Sequence, residues 1–158
     1  MNEYVIFTDS SCDISHETLV EWGVESLSLT FRFDDSDKEY NNGDMSAADF
    51  YQKMREGRVA KTSAVNTQSF KETFEKILAD GRDILYIGFS SGLSSTYHAG
   101  KLACEELSEE YPERSLCAVD TLCASLGQGL LVYHAAKMRL DGKSMDEVKE
   151  FVESNKLK

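Results

Sequence analysis

DILYIGFSSGLSSTY (residues 83–97) is the stretch that decides the fold of this chain. Its first half is a short apolar run rich in branched and aromatic residues, the pattern of a buried β-strand. A turn of small hydroxyl residues around Gly92 follows, and an amphipathic helical pattern begins directly after it. In α/β proteins this order of strand, polar loop and helix places hydroxyls and free backbone N–H groups at the carboxyl edge of a parallel sheet. Because a helix N-terminus carries the positive end of the helix dipole, the stretch predicts a site for a small anion.

The composition indicates one globular domain over residues 1–158. Hydrophobic residues make up 41% and charged residues 28% of the chain, which suffices for a packed core, and the single proline argues against linkers. The net charge of −11 excludes nucleic acid as an expected partner, since phosphate binding needs a basic face. The same charge argues against adsorption to anionic membranes. An anionic ligand must therefore be attracted by local geometry and not by the field of the whole chain.

The cysteine pattern and the N-terminus indicate a cytoplasmic protein. The four cysteines form no C-x-x-C pair and have no metal-binding spacing with the three histidines, so we expect reduced thiols and no metal or cofactor. The first residues lack the basic and apolar regions of a signal peptide. No apolar run approaches membrane-spanning length, so stable membrane insertion is not expected.

Strand and helix patterns alternate along the chain. We predict strands over residues 4–8, 24–33, 38–40, 83–89 and 115–120, and helices over about 15–22, 46–57, 67–79, 94–107, 125–140 and 145–155. Residues 59–66 are predicted to be a connector. This alternation is typical of an α/β domain with a mostly parallel sheet and helices on both faces.

Three predicted strands end in similar polar residues. These ends are Thr8-Asp9-Ser10, Ser90-Ser91 and Asp120-Thr121, and in a parallel sheet they would meet at one edge. The helix that follows the last of them carries Gly127 and Gly129 in its first turns. Because Gly costs a helix about 1 kcal/mol relative to Ala, the two glycines predict close packing against neighbouring loops.

A serine hydrolase is one hypothesis for this edge. Gly88-Phe89-Ser90-Ser91-Gly92 has the G-x-S-x-G form of a nucleophile elbow, and Asp120 and His134 follow in the order of a Ser-Asp-His triad. However, His134 falls inside a long predicted helix, whereas a catalytic base needs a position from which it reaches the serine. The hypothesis also requires more sheet after the serine than one further strand.

The residues of the edge also bear on two other ligands, a polyphosphate and Mg²⁺. Residues 83–100 contain no Lys or Arg and the chain has no P-loop, so neutral donors here suit a carboxylate better than a polyphosphate. Asp9, Asp13 and Asp120 could bind Mg²⁺. The alternative is that these carboxylates accept hydrogen bonds from backbone N–H groups in their own turns.

The sequence resembles the N-terminal domain of the DegV family, bacterial fatty-acid-binding proteins also called fatty acid kinase B subunits. Four stretches in the same order carry the resemblance: Thr8-Asp9-Ser10-Ser11-Cys12-Asp13, Lys61-Thr62-Ser63, Ser90-Ser91-Gly92-Leu93-Ser94-Ser95-Thr96-Tyr97, and Asp120-Thr121 with Ala124-Ser125-x-Gly127-x-Gly129. Two departures from the family pattern stand beside them. Ala64-Val65 occupies a place where the family usually has proline, and Ser95 replaces a glycine.

The resemblance implies a function without catalysis by this chain. It implies that a long-chain fatty acid is bound and presented to an ATP-binding fatty acid kinase subunit, which makes the acyl phosphate. Carried over by position, Thr62 and Ser94 would bind the fatty acid carboxylate, while Ser63, Ser90 and Ser91 would shape the loop around it. The resemblance also implies that residues 1–158 are the N-terminal domain and that the C-terminal domain of the family is absent from this sequence.

Overall fold

The structure, a computed structural model, describes residues 3–158. Along the chain the strands are β1 (Tyr4–Asp9), β2 (Val24–Leu27), β3 (Thr30–Phe33), β4 (Tyr40–Asn41), β5 (Ala60–Ser63), β6 (Asp83–Gly88) and β7 (Leu116–Asp120). The helices are α1 (His16–Glu21), α2 (Ala47–Arg55), α3 (Thr67–Ala79), α4 (Thr96–Glu110), α5 (Leu126–Leu140) and α6 (Met145–Asn155). Four strands form a parallel sheet in the order β2-β1-β6-β7, which confirms the predicted fold class.

Helices cover both faces of the parallel sheet. Successive side chains of a strand point to opposite faces, so Tyr4 and Ile6 of β1 enter one core layer and Val5 and Phe7 enter the other. The first layer contains buried residues of α1, α5 and α6, and the second contains buried residues of α3 and α4. Both faces of β1 and β6 are buried, which explains why these strands appear as continuous apolar runs in the sequence.

A second, smaller sheet stands beside the first; the short returning strand predicted over residues 38–40 is found in it as β4, shifted to Tyr40–Asn41, but a separate sheet was not predicted. It is antiparallel and has the order β4-β3-β5. Its core is an aromatic cluster in which Phe31 packs edge-to-face on Phe33 and Phe50, with ring centroids 5.7 and 5.1 Å away, and stacks on Tyr40 at 5.3 Å. We name this unit, residues 30–63, the small sheet.

The single strand predicted over residues 24–33 is wrong. The chain leaves the parallel sheet after Leu27 and enters the small sheet at Thr30. At the break, the Leu29 N–H donates to Ser10 Oγ at 2.9 Å, and Ser28 Oγ donates to the Leu29 carbonyl at 2.8 Å. These side-chain bonds take the place of ladder bonds, so an unbroken polar and apolar alternation crosses from one sheet to the other.

The connector predicted over residues 59–66 is also wrong in part, because residues 60–63 form strand β5. Its residues Ala60, Lys61, Thr62 and Ser63 pair with β3 in register from Phe33 back to Thr30. Small and hydroxyl residues give little strand signal by themselves. Here the pairing with β3 fixes the extended conformation.

The helices predicted from about residues 15 and 46 begin where expected, and α2 is only partly covered by the rest of the fold. Ser15 Oγ accepts the Thr18 N–H and Ser46 Oγ accepts the Asp49 N–H, so both serines cap their helices. On α2, Tyr51 is 56% exposed, whereas its neighbour Phe50 packs into the aromatic cluster of the small sheet. The helix therefore attaches to the small sheet through few residues.

The close packing predicted for the two glycines of α5 is found at one of them. A Cβ on Gly129 would lie 2.9 Å from the Cys12 carbonyl oxygen and 3.0 Å from Ile14 Cγ1, so α5 approaches the turn after β1 directly. A Cβ on Gly127 would meet only Cys123, at an ordinary 3.4 Å. The prediction is correct for Gly129 and wrong for Gly127.

Gly129→Ala should therefore destabilise the fold, because the added methyl group overlaps the backbone of the neighbouring turn. We expect a loss of about 1–3 kcal/mol in the free energy of unfolding measured by urea denaturation. Gly127→Ala is the matched control, two residues away in the same helix, and should be neutral or stabilise by up to about 1 kcal/mol. Equal effects of the two substitutions would contradict the packing described here.

Candidate functional site

The predicted meeting of three strand ends is observed at the carboxyl edge of the parallel sheet. The loop that follows β6, residues 89–95, is here named the serine loop. Its Phe89 N–H donates to Asp9 Oδ2 at 3.0 Å, and its Ser91 N–H donates to Asp120 Oδ1 at 3.2 Å. The Ser90 N–H donates to the Cys123 carbonyl at 3.0 Å. Groups at the ends of β1 and β7 thus hold three consecutive N–H groups of the loop.

Asp9 is the most deeply placed of these groups, with no exposed surface. Its Oδ2 accepts the Tyr86 hydroxyl at 2.8 Å as well as the Phe89 N–H, and its Oδ1 accepts the Ser11 N–H at 3.1 Å and Gln128 Nε2 at 3.3 Å. A buried carboxylate is tolerated when hydrogen bonds replace its lost hydration. Four donors from four parts of the chain provide that replacement.

Tyr86 is held in its protonated, donating form. Burial raises the pKa of its hydroxyl well above the usual value, and the neighbouring Asp9 carboxylate raises it further. The ring is fixed between the sheet and α4, where Gly100 leaves room for it: a Cβ on Gly100 would overlap the ring. Tyr86 therefore supplies a permanent donor to Asp9.

The serine loop is folded on Ser90, which is only 6% exposed. The Ser90 carbonyl accepts the N–H groups of Leu93 and Ser94, and its Oγ accepts the Gly92 N–H at 3.3 Å. Ser90 and Ser91 therefore stabilise the conformation of the loop. Ser90 does so through its carbonyl and hydroxyl oxygens, and Ser91 through its N–H, which donates to Asp120. Leu93 at the tip is 68% exposed.

Ser94 lies where the loop enters α4. Its Oγ accepts the Thr96 N–H at 3.2 Å and lies 3.0 Å from Thr96 Oγ1. The side chain thereby caps the first turn of the helix although Ser95, the residue before the helix, forms no side-chain cap. With its oxygen used as an acceptor, the Ser94 hydroxyl proton remains able to donate to Thr96 Oγ1 or to a ligand.

Thr62 and Ser63 lie on β5 of the small sheet and not on the parallel sheet. Thr62 is paired with Phe31 and Ser63 with Thr30, so their side chains lie on opposite faces of the small sheet. Ser63 lines an open cleft of about 530 Å³, which Leu27, Thr30, Asn41 and Asn66 also line. Thr62 is exposed, and no hydrogen bond joins its side chain to Ser94 in residues 3–158.

Ser10 connects the small sheet to the carboxyl edge, a role that the sequence did not indicate. Its Oγ accepts the Leu29 N–H at 2.9 Å and Asn42 Nδ2 at 3.1 Å, one from each side of the β3–β4 pair. Gln128 was likewise missed: it is fully buried and donates to both Thr8 and Asp9. A polar residue on the buried side of a helix is the only signal by which Gln128 could have been found.

The structure gives no support to the hydrolase hypothesis. His134 is exposed in the middle of α5, and its ring packs against Phe151 with centroids 5.8 Å apart. The Asp120 carboxylate accepts the backbone N–H groups of Ser91 and Leu122 instead of orienting an imidazole. The three residues of the proposed triad thus have separate structural roles.

The magnesium hypothesis for the three aspartates has no support either. Within residues 3–158 no group of three or more His, Cys, Asp or Glu side chains is placed to bind a metal ion. Asp9 and Asp120 both accept hydrogen bonds from N–H groups, as the alternative interpretation predicted.

Among the helices of residues 3–158, none has both the length and the apolar character that a membrane span requires.

Fold and edge together define an α/β domain with neutral hydrogen-bond donors at the carboxyl edge of a parallel sheet, the usual place of a ligand site in such sheets. The chain belongs to the DegV family, whose family model, described as uncharacterised protein, matches residues 3–158. A DegV domain-containing protein of Clostridium perfringens is 44% identical over the whole chain. The present chain spans 55% of that relative's length.

Solved structures of the family share this fold. A stearic acid-binding protein from Eubacterium ventriosum is 26% identical with a TM-score of 0.84, over 94% of this chain and 52% of that one. A DegV family protein from Thermus thermophilus, described for its fatty acid binding, has the same identity and TM-score over 99% of this chain and 54% of its own. These similarities confirm the resemblance on which the sequence expectations depend.

Removal of the Tyr86 hydroxyl tests the hydrogen bonding of the buried Asp9 carboxylate. Tyr86→Phe should lower the free energy of unfolding by about 1.5–3 kcal/mol, because a bond to a charged group is lost in the interior. Tyr97→Phe is the control: the Tyr97 ring is only half-buried and stacks on Tyr86, and its hydroxyl forms no hydrogen bond in residues 3–158. Urea denaturation should show a change within about 0.5 kcal/mol for that control.

Proposed function

We propose that this domain binds a long-chain fatty acid, with its carboxylate held by the hydroxyls of Thr62 and Ser94. The observation that carries the proposal is Ser94, whose Oγ accepts the Thr96 N–H at the start of α4, so that its proton can be donated either to Thr96 Oγ1, 3.0 Å away, or to an anion. Family membership and the fatty-acid-binding relatives from Eubacterium ventriosum and Thermus thermophilus support it.

The chemistry of the edge favours a single carboxylate over a phosphate. Residues 83–100 supply hydroxyls, backbone N–H groups and the N-terminus of α4, but no Lys or Arg. The two carboxylates nearest the loop, Asp9 and Asp120, already accept donors from the protein, and these bonds offset part of their repulsion toward an anion. Neutral donors match a ligand with one negative charge.

Thr62 supplies the second hydroxyl from the small sheet. It is exposed and lies on the same face of that sheet as its partner Phe31. Ser63 lies on the opposite face, where it lines the cleft beside the small sheet.

The free energy of binding divides between the two ends of such a ligand. Each hydrogen bond to a carboxylate contributes about 1.5–3 kcal/mol, whereas the acyl chain contributes roughly 0.8 kcal/mol for each buried CH₂. The hydroxyls therefore orient the fatty acid and the acyl chain decides how tightly it binds. In the proposal the relatives' remaining length covers the acyl chain, since this chain spans about half of them.

The proposal assigns phosphoryl transfer to a partner. The chain contains no P-loop, and the serine loop lacks the cations that bind ATP phosphates. In the family resemblance an ATP-dependent kinase subunit receives the carboxylate and forms the acyl phosphate. The domain then acts as a binding subunit in the cytoplasm and is not itself an enzyme.

Thr62→Ala combined with Ser94→Ala tests the binding site. Titration with palmitate, in a full-length context such as that of the relatives, should show an affinity at least tenfold lower for each hydroxyl removed, because at least about 1.5 kcal/mol is lost with each bond. Ser95→Ala is the control, since this exposed neighbour of Ser94 forms no side-chain cap. Undiminished palmitate binding by the double variant would contradict the site assignment.

Chemical labelling of Ser90 separates binding from hydrolysis. Incubation of the folded chain with an organophosphonate probe should leave Ser90 unlabelled, because its side chain is 6% exposed and no imidazole acts on it. Mass spectrometry of the intact chain measures the adduct. Stoichiometric labelling of Ser90 would overturn the assignment of a non-catalytic domain.

A further inference from the structure

The two proposed carboxylate ligands lie on separate units of the fold. Ser94 belongs to the serine loop at the edge of the parallel sheet, and Thr62 belongs to the small sheet. No backbone ladder joins the two sheets in residues 3–158. The distance between the hydroxyls therefore depends on whatever fixes one unit against the other.

Asp9, the last residue of β1, and Ser10, the next residue, each accept hydrogen bonds from one of these units through their side chains. Asp9 accepts the Phe89 N–H at the start of the serine loop. Ser10 accepts the Leu29 N–H and Asn42 Nδ2 at the start of β3 and the end of β4. Because the two residues are adjacent at the end of a fully buried strand, the backbone of β1 holds both of them near the carboxyl edge.

The path from Ser10 to Thr62 is short. Leu29 directly precedes Thr30, the first residue of β3, and the next residue, Phe31, pairs with Thr62. The path from Asp9 to Ser94 is equally direct, since Phe89 opens the loop and the Ser90 carbonyl holds the Ser94 N–H at 3.2 Å. The side chains of Asp9 and Ser10 thus bind backbone N–H groups of the two segments that carry the Ser94 and Thr62 hydroxyls.

We propose that Asp9 and Ser10 are positioning residues that set the spacing between Ser94 and Thr62 and so complete the carboxylate site. This inference rests on the proposed function. Neither side chain is required to touch the ligand: Asp9 carries a negative charge and has no exposed surface, and both Ser10 bonds go to the small sheet.

A double-mutant cycle tests the coupling of each positioning residue to the two ligand residues. Ser10→Ala should weaken palmitate binding about five- to twentyfold in the wild-type background, but less than twofold when either Ser94 or Thr62 is already Ala, because the spacing matters only while both hydroxyls are present. Asp9→Asn should show the same dependence. A merely structural role would lower affinity by the same factor in every background.

The neighbouring turn provides matched controls. Ser11→Ala removes the next serine hydroxyl, which is buried and forms no hydrogen bond with the described residues, so it should leave palmitate affinity unchanged within twofold. Asp13→Asn is the control for Asp9→Asn: it neutralises an exposed aspartate of the same turn and should also leave palmitate affinity unchanged within twofold. Equal losses from Ser10→Ala and Ser11→Ala would overturn the proposal.

Hydrogen exchange of the ligand-free chain tests the positioning roles of Asp9 and Ser10 independently of ligand binding. Under native conditions Ser10→Ala should raise amide exchange at Leu29 and through β3 and β5 at least fivefold, with residues 89–96 unchanged. Asp9→Asn should raise it at Phe89–Ser91 instead, and if that variant does not fold, the Ser10 arm alone decides. Exchange that rises uniformly, or not at all, would overturn the positioning roles.

These outcomes separate the inference from the proposed function. A wild-type protein that fails to bind palmitate in a full-length context contradicts the proposed function, while selective exchange in this chain still supports the positioning of the two units. A wild-type chain that binds palmitate with effects that are additive in all backgrounds contradicts the positioning roles and leaves the carboxylate site standing.

Discussion

The buried carboxylate of Asp9 is the constraint on which the carboxyl edge depends. It has no exposed surface and no cation beside it among the described residues, so hydrogen bonds from Tyr86, Phe89, Ser11 and Gln128 must replace its hydration. Each donor comes from a different part of the fold. Loss of any one leaves a charged group under-solvated, and the four elements are therefore held at fixed positions around one side chain.

This arrangement separates the charge that organises the edge from the groups that face a ligand. The carboxylate oxygens of Asp9 and Asp120 accept hydrogen bonds from the protein, whereas Ser94 is partly exposed and Thr62 is exposed. In the proposed function an anion approaches a chain of net charge −11 because the donors at the edge are neutral. The proposed site therefore relies on hydroxyls held in place by the fold and not on attraction by positive charge.

The parallel sheet and its helices could be predicted from the sequence because their signals are local. Buried strands such as β1 and β6 are continuous apolar runs in the sequence. Ser15 and Ser46 are N-cap residues, a type that marks the start of a helix. The small sheet could not be predicted, since residues 60–63 become a strand only through pairing with β3. The meeting of Asp9, the serine loop and Asp120 followed from the rule for parallel sheets. The grip of Ser10 on Leu29 depends on tertiary structure and left no pattern in the sequence.

The bonds of Asp9 also place the site late in the order of folding. The bonds from Tyr86, Phe89 and Gln128 join residues 77, 80 and 119 positions apart along the chain, so each of these three closes a long loop. Contacts of such high sequence separation form slowly, because the entropy of loop closure must be offset before they stabilise anything. Helices α3 and α4 can form from local interactions well before that. A chain that has not yet formed these contacts lacks the bonds that hold the serine loop at the carboxyl edge.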